Sequence, residues 1–221
     1  MSGPGATSVD PPGSLRARQK QLTRDRLLDA AVTVFADKSF VDATMDDIAR
    51  AAGVARVTVY AHFPGKNDII QALATQVYEA MGEVFAALGA LPGWSAAGIR
   101  SWLEETARAW QPIARTLRVI HVEGAVALSK TDRAAAAARD RYVEEHERYA
   151  AMLTAVRGRW RGRTAAESRQ RALMAVLQTE SFLTAWLAAG VAMPADDPLD
   201  LLTSSVCHLL GVAAENTTWE V

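Results

Sequence analysis

The chain has 221 residues, of which 50% are hydrophobic, 22% charged and 7% aromatic, and its formal net charge is -1. That length can bury roughly 70% of the unfolded surface, and the balance of residue types excludes a low-complexity or disordered chain. The charge gives no overall pull toward a polyanion; the lone Cys207 excludes an intrachain disulfide framework or thiolate metal cluster, and no apolar run reaches the ~18 residues of a membrane span.

Charge is unevenly distributed. From Arg16 to Lys66 there are nine Lys/Arg against six Asp/Glu, and from Asn67 onward fifteen against eighteen, so a mildly basic front precedes a mildly acidic remainder. The N-terminus lacks the apolar core of a signal peptide, and a reducing, cytoplasmic setting is expected.

Met1 to Ser14 is rich in Pro, Gly, Ser and Thr, and residues 1–20 are expected to form an unstructured arm, with order starting near Leu22. Leu27, Ala31, Val34 and Phe35 then recur on one helical stripe, predicting a helix to about Lys38. Thr44 and Asp47 form a capping box for a short second helix that Gly53 stops. Beyond Gly65 a long helical pattern runs to about Ala90, where Leu91-Pro92-Gly93 breaks it.

Further on, Ser95 caps a helix expected to end before Pro112, and a shorter one is expected over about Ile113 to Leu128. Asp132 opens another to about Arg159. Thr164 with Glu167 starts a helix to about Ala189, and Asp197-Pro198 starts the last, to about Ala214. Strand patterns are absent, so the fold class is all-α.

Within this frame, Ala49, Gly53, Val54 and Val59 have the pattern of two short helices meeting across a tight turn. The first supplies a small contact residue, Gly53 can take positive φ, and the branched residues lock the second helix. Val59 and Phe63, four apart, face inward, which turns Arg56, Thr58, Tyr60 and His62 toward the rim or solvent. A helix-turn-helix presents such a helix to base edges in the major groove of DNA.

Leu27-Leu28-Asp29-Ala30-Ala31, Phe35, Thr44-Met45-Asp46-Asp47-Ile48-Ala49, Ala52-Gly53-Val54, Thr58-Val59-Tyr60-Ala61-His62-Phe63 and Lys66 together resemble the N-terminal domain of the TetR family of transcriptional repressors. The resemblance covers about Leu22 to Leu73. It implies a three-helix helix-turn-helix domain over 21–66 and a larger helical ligand-binding and dimerisation domain over 67–221. It further implies a homodimer on a palindromic double-stranded DNA operator, released by a small molecule. Carried over by position, Thr44, Tyr60 and Lys66 resemble phosphate contacts, Arg56, Val57 and Thr58 lie near base edges, and His62 is at the interface margin. Three positions depart from the pattern: Ala55 stands where a capping serine is common, Ser39 where a glycine usually ends the first helix, and Val57 where the residue is frequently small.

In the remainder, tryptophans at 94, 102, 110, 160, 186 and 219 and several methionines suggest a cavity for an apolar or aromatic effector. Met81, Trp102, Trp110, His121, Met152, Met174, Phe182 and Trp186 are its candidate lining, each also readable as plain core. His121 and Glu123 fall on different helix faces and form no chelating pair, Cys207 reads as inert core, and neither metal nor cofactor is expected. The helices from Ala165 and Pro198 are apolar on more than one side, which suits a four-helix dimer interface. Two alternatives stay open: a helical enzyme fused to a DNA-binding head, and a DNA-binding regulator controlled by a protein partner.

Overall fold

A computed structural model describes residues 14–120, 132–193 and 196–212, and among these residues the secondary structure is helical, with no strand. The chain divides into two compact units, residues 1–72 and 73–221, so the division falls inside the fourth helix rather than at its start.

In the first unit, α1 spans Leu15–Asp42, α2 Met45–Ala52 and α3 Arg56–His62, and α4, Lys66–Ala90, begins here. Helix α1 starts within the stretch expected to be unstructured, because the Ser14 side chain accepts the Ala17 N–H and caps it. The Pro- and Gly-rich residues before Ser14 lie outside the described residues. The stripe of Leu27, Ala31, Val34 and Phe35 is buried, as its period requires. Helix α1 also passes the expected stop at Lys38, with a break in its geometry at Ser39, whose φ of 66° is the one positive value at a non-glycine residue among those described. That backbone is where glycine would be unstrained; Ser39 Oγ accepts the Asp42 N–H and donates to its carboxylate, which holds the turn.

The second unit contains the rest of α4, then α5 (Ala96–Val119), α6 (Asp132–Thr154), α7 (Ala165–Leu183) and α8 (Pro198–Leu210). Ser95, Thr164 and Asp197 all cap as expected, each side chain accepting a backbone N–H of the first turn. Helix α5 does not stop at Pro112. Its apolar face continues through Trp110 and Leu117, both buried, and that burial outweighs the one backbone hydrogen bond an exposed proline removes. Residues 113–119 of the separate helix expected over Ile113 to Leu128 are therefore the end of α5, and residues 121–128 lie outside the described residues.

Helix α6 ends five residues before Arg159, at Thr154, and a 3-10 turn, Arg157–Trp160, follows. Beyond α7 the winding widens into a π-helix over Thr184–Ala188. Gly211, at φ 75°, closes α8 earlier than Ala214.

The core of the second unit joins Met81, Phe85 and Leu88 of α4 to Trp102 and Trp110 of α5, Tyr149 of α6, Val176 of α7 and Val206 of α8. Tryptophan N–H groups stitch it together: Trp94 donates to the Leu88 carbonyl, Trp102 to Val84 and Trp160 to Leu153, each at 3.0 Å. Arg100 of α5 bonds Asp197 and Asp200 at the start of α8, and the Tyr149 hydroxyl donates to the Tyr78 carbonyl at 2.7 Å.

Candidate nucleic-acid interface and effector cavity

Helices α2 and α3 meet across Gly53, whose φ of 62° and ψ of 41° require the left-handed region, while Val54 N–H bonds the Ala49 carbonyl at 3.0 Å. The Thr44 hydroxyl accepts the Asp47 N–H at 3.1 Å, and the Asp47 carboxylate accepts the Thr44 N–H in return. Bonds from Lys38 and from Thr44 hold the Asp47 carboxyl far below the usual carboxylate range. Thr44 thus fixes the entry to α2 while staying on the surface.

Helix α3 begins at Arg56 with Ala55 as a cap that offers no side-chain bond. Val59 and Phe63 are buried, at 0% and 1% exposure, so the opposite face is set by the helical period. Val57 is 75% exposed and Tyr60 43%, Arg56 is exposed, and Thr58 and His62 are half-buried at the margin. The six residues Thr44, Arg56, Val57, Thr58, Tyr60 and His62 therefore all reach the surface of this unit. Arg56 is held by its neighbours: its guanidinium bonds the Asp46 carboxylate at 3.1 Å and lies 5.4 Å from the Tyr60 ring. Burial, together with the positive charges of Lys20 and Arg24, lowers the pKa of His62, keeping its ring neutral near pH 7.

Lys66 has partners within its own unit. Its ammonium donates to the carbonyls of Phe40 and Ala43 at 2.6 Å and of Val41 at 3.2 Å, over the Phe40 ring. A cation at the end of α1 satisfies carbonyls that the helix leaves open. These bonds give Lys66 a bracing task within the unit, at the position expected to contact a phosphate.

In the second unit, a cavity of about 280 Å³ lies between α4 and α5 and gathers three of the expected residues, Met81, Trp102 and Trp110. Val84, Ile113 and three alanines add to its apolar side, and Thr106 and the exposed Glu83 and Glu105 also line it. Trp110 is 1% exposed and its indole N–H has no hydrogen-bond partner among the described residues.

The remaining candidates do not join them. Met152 packs its backbone carbonyl against Gly89 of α4, where an added Cβ would come within 3.1 Å. Met174 stands 48% exposed on α7, and Phe182 and Trp186, with ring centroids 6.2 Å apart, pack on the edge of the core. His121 lies outside the described residues, as does Trp219. Cys207 is buried and its thiol is pushed up by that burial, consistent with inert core.

Glu180 and His146 were not anticipated. A signal existed: Glu180 falls on the buried stripe of α7 with Ala172, Val176 and Leu183, where a carboxylate demands a partner.

Residues 27–73 match the family described as bacterial regulatory proteins, tetR family. This is a TetR-family domain. The HTH-type transcriptional regulator SrpR of Pseudomonas putida is 49% identical over 57 residues, 26% of this chain and 27% of that one. The HTH-type transcriptional repressor LfrR of Mycolicibacterium smegmatis is 41% identical over 66 residues, 30% of this chain and 34% of that one. The chain thus matches about a third or less of the length of these curated relatives, within the TetR-family domain, and they are named as transcriptional regulators, not as enzymes.

Similarity of fold extends further. A TetR-family transcriptional regulator from Pseudomonas syringae pv. tomato has a TM-score of 0.62 at 21% identity, over 86% of this chain and 95% of that one. The SmeT–triclosan complex has a TM-score of 0.63 at 18% identity, over 88% and 94%. The second unit therefore has the fold that accompanies the TetR-family domain in those structures.

Proposed function

We propose that the protein is a transcriptional regulator, acting as a repressor, that binds a palindromic DNA operator as a homodimer and is released by a small, largely apolar effector. The observation behind this is the face of α3: Val59 and Phe63 anchor it inward while Arg56, Val57 and Tyr60 stand exposed beyond a left-handed Gly53 turn. A short helix held in that way can enter a major groove, and two copies related by a two-fold axis would read two half-sites. In support of dimerisation, Met174 of α7 and Leu201 of α8 are apolar residues left 48% and 64% exposed, on either side of the bond from Ser205 to Gln178. The effector is assigned to the cavity of Met81, Trp102 and Trp110, as the triclosan bound by SmeT encourages.

The test is selection of genomic fragments by the purified protein, followed by titration of the selected duplex. A palindromic site should emerge, its affinity should fall steeply with salt, and an apolar ligand that quenches tryptophan should weaken it by about 1–3 kcal/mol of coupling. Equal affinity for selected and scrambled duplexes would overturn the assignment.

A further inference from the structure

A second cavity in the same unit, about 220 Å³, lies among α4, α5, α6 and α7 and is lined by Ala74, Val77, Tyr78, Leu117, Tyr142 and Glu180, with Ile120 just beyond α5. Its polar group is buried: Glu180 is 8% exposed and His146 beside it 2%. Nε2 of His146 meets Oε2 of Glu180, and Nδ1 lies 2.7 Å from the Tyr142 carbonyl. The imidazole is sandwiched, 3.9 Å from the Tyr142 ring and 5.7 Å from the Tyr149 ring between centroids. A backbone carbonyl can only accept, so Nδ1 carries a proton. A second proton sits between Nε2 and Oε2. Whichever of those two atoms holds it, the His146–Glu180 pair has no net charge and Glu180 Oε1 is left as an acceptor, with no hydrogen-bond partner among the described residues.

Three kinds of guest can be compared. An anion would bring a second acceptor against Oε1 and an uncompensated charge into the cavity, with only the Tyr78 and Tyr142 hydroxyls among the described lining residues able to donate. A cation would add an uncompensated charge beside a pair that is already neutral, in a cavity whose other walls are mostly apolar. An uncharged molecule with one O–H donor satisfies Oε1 and changes no charge, and a hydroxyl donating to a carboxylate makes a short, strong bond. A cavity of about 150 Å³ holds benzene, so this one has room for a single ring with a short alkyl tail.

We propose that this cavity is a binding site for a small uncharged phenol or aromatic alcohol, with Glu180 Oε1 as the acceptor of its hydroxyl and His146 as the group that holds Glu180 in place. The site is distinct from the cavity of Met81, Trp102 and Trp110, and occupancy needs no DNA, so it stands or falls apart from the regulatory assignment.

The test is calorimetric titration of the full chain with four matched probes: 4-propylphenol, its methyl ether, 4-propylbenzoate and 4-propylbenzylamine. The phenol should bind, and the ether, acid and amine should each bind at least tenfold more weakly. Glu180→Gln should weaken the phenol at least tenfold and leave the ether unchanged. Because that variant can fail to fold, Ala74→Phe, which fills the cavity from the half-buried side of α4, serves as the second: it should abolish phenol binding while the circular dichroism of the chain is retained. Equal binding of phenol and ether, tighter binding of the benzoate or amine, phenol binding that survives Ala74→Phe in the folded chain, or no binding of any probe would each overturn the proposal.

Discussion

Arg56 and Lys66 show how two cations ten residues apart take different tasks from their surroundings. Arg56 stands on the exposed face of α3, and its partners Asp46 and Tyr60 are on the surface too, so its fork can exchange them for a base edge at little structural cost. Lys66 is half-buried over three carbonyls of the α1 terminus and its link to α2. Replacing it by methionine keeps most of the volume and leaves those carbonyls without their charged donor, a loss of about 2 kcal/mol. Lys66→Met should therefore lower the unfolding temperature of the protein and leave the salt slope of DNA binding unchanged. Arg56→Ala should do the reverse, keeping stability and losing about 1–3 kcal/mol of discrimination at one base pair per half-site. Thermal unfolding beside salt titrations separates them; an unchanged melting point with a salt slope lowered by about one per subunit in Lys66→Met would return the phosphate role to Lys66.

Helices were legible wherever sequence and tertiary demand agree. Thr44, Ser95, Thr164 and Asp197 all cap where their side chains suggest, since a cap is a local bond between a residue and the next turn. The errors lie where distant residues decide. Pro112 looks like a stop until Trp110 and Leu117 are seen to need one continuous face, and the tryptophans divide: Trp94 and Trp160 donate to carbonyls within their own stretch of chain, while Trp102 donates to Val84 of α4 and still lines the cavity with Trp110. Of the candidate lining, Met81, Trp102 and Trp110 come together because α4 and α5 pack side by side, a neighbourhood that no periodicity reports. The two-sided apolarity of α7 and α8 resolves the same way. Leu183 and Val176 are fully buried within one chain, whereas Met174 and Leu201 remain outside. Leu201→Arg should accordingly convert a dimer to a monomer with its helicity intact, and Leu183→Arg should unfold the chain by burying an unpaired charge. Sedimentation of both variants against the wild type checks this; a Leu201→Arg protein that stays dimeric would move the interface elsewhere.

Across the whole molecule, stability should depend on pH through groups that the two units hold differently. In the second unit burial pushes the His146 ring toward neutrality, but the hydrogen bond and charge of Glu180, the Tyr142 carbonyl and the charge of Glu145 outweigh it, and its pKa lies above the ordinary histidine value. A raised folded value means that the folded state keeps a proton the unfolded chain has released. The stabilisation is therefore complete below about pH 6.5 and is lost as pH rises through the folded value, with a slope of at most about 1.4 kcal/mol per pH unit for one proton. Burial also raises the tyrosines around it, Tyr78, Tyr142 and Tyr149, which adds a separate fall only near pH 10 and above. At the acid end the sign reverses. Asp47 in the first unit, bonded by Lys38 and Thr44, and Asp197 in the second, bonded by Arg100, are both lowered, so what they contribute is present above about pH 3.8 and lost as pH falls through their folded values. All six tryptophans belong to residues 73–221, so their fluorescence reports the second unit, while far-ultraviolet circular dichroism reports both. Raising pH from 6 to 9 should lower the denaturant midpoint seen by tryptophan emission while the transition of the first unit does not fall, since the lowered pKa of His62 acts with the opposite sign, and His146→Gln should flatten the tryptophan dependence without touching the acid limb. A wild-type tryptophan midpoint that is level from pH 6 to 9 would mean that His146 binds its proton no more tightly in the folded chain than in the unfolded one.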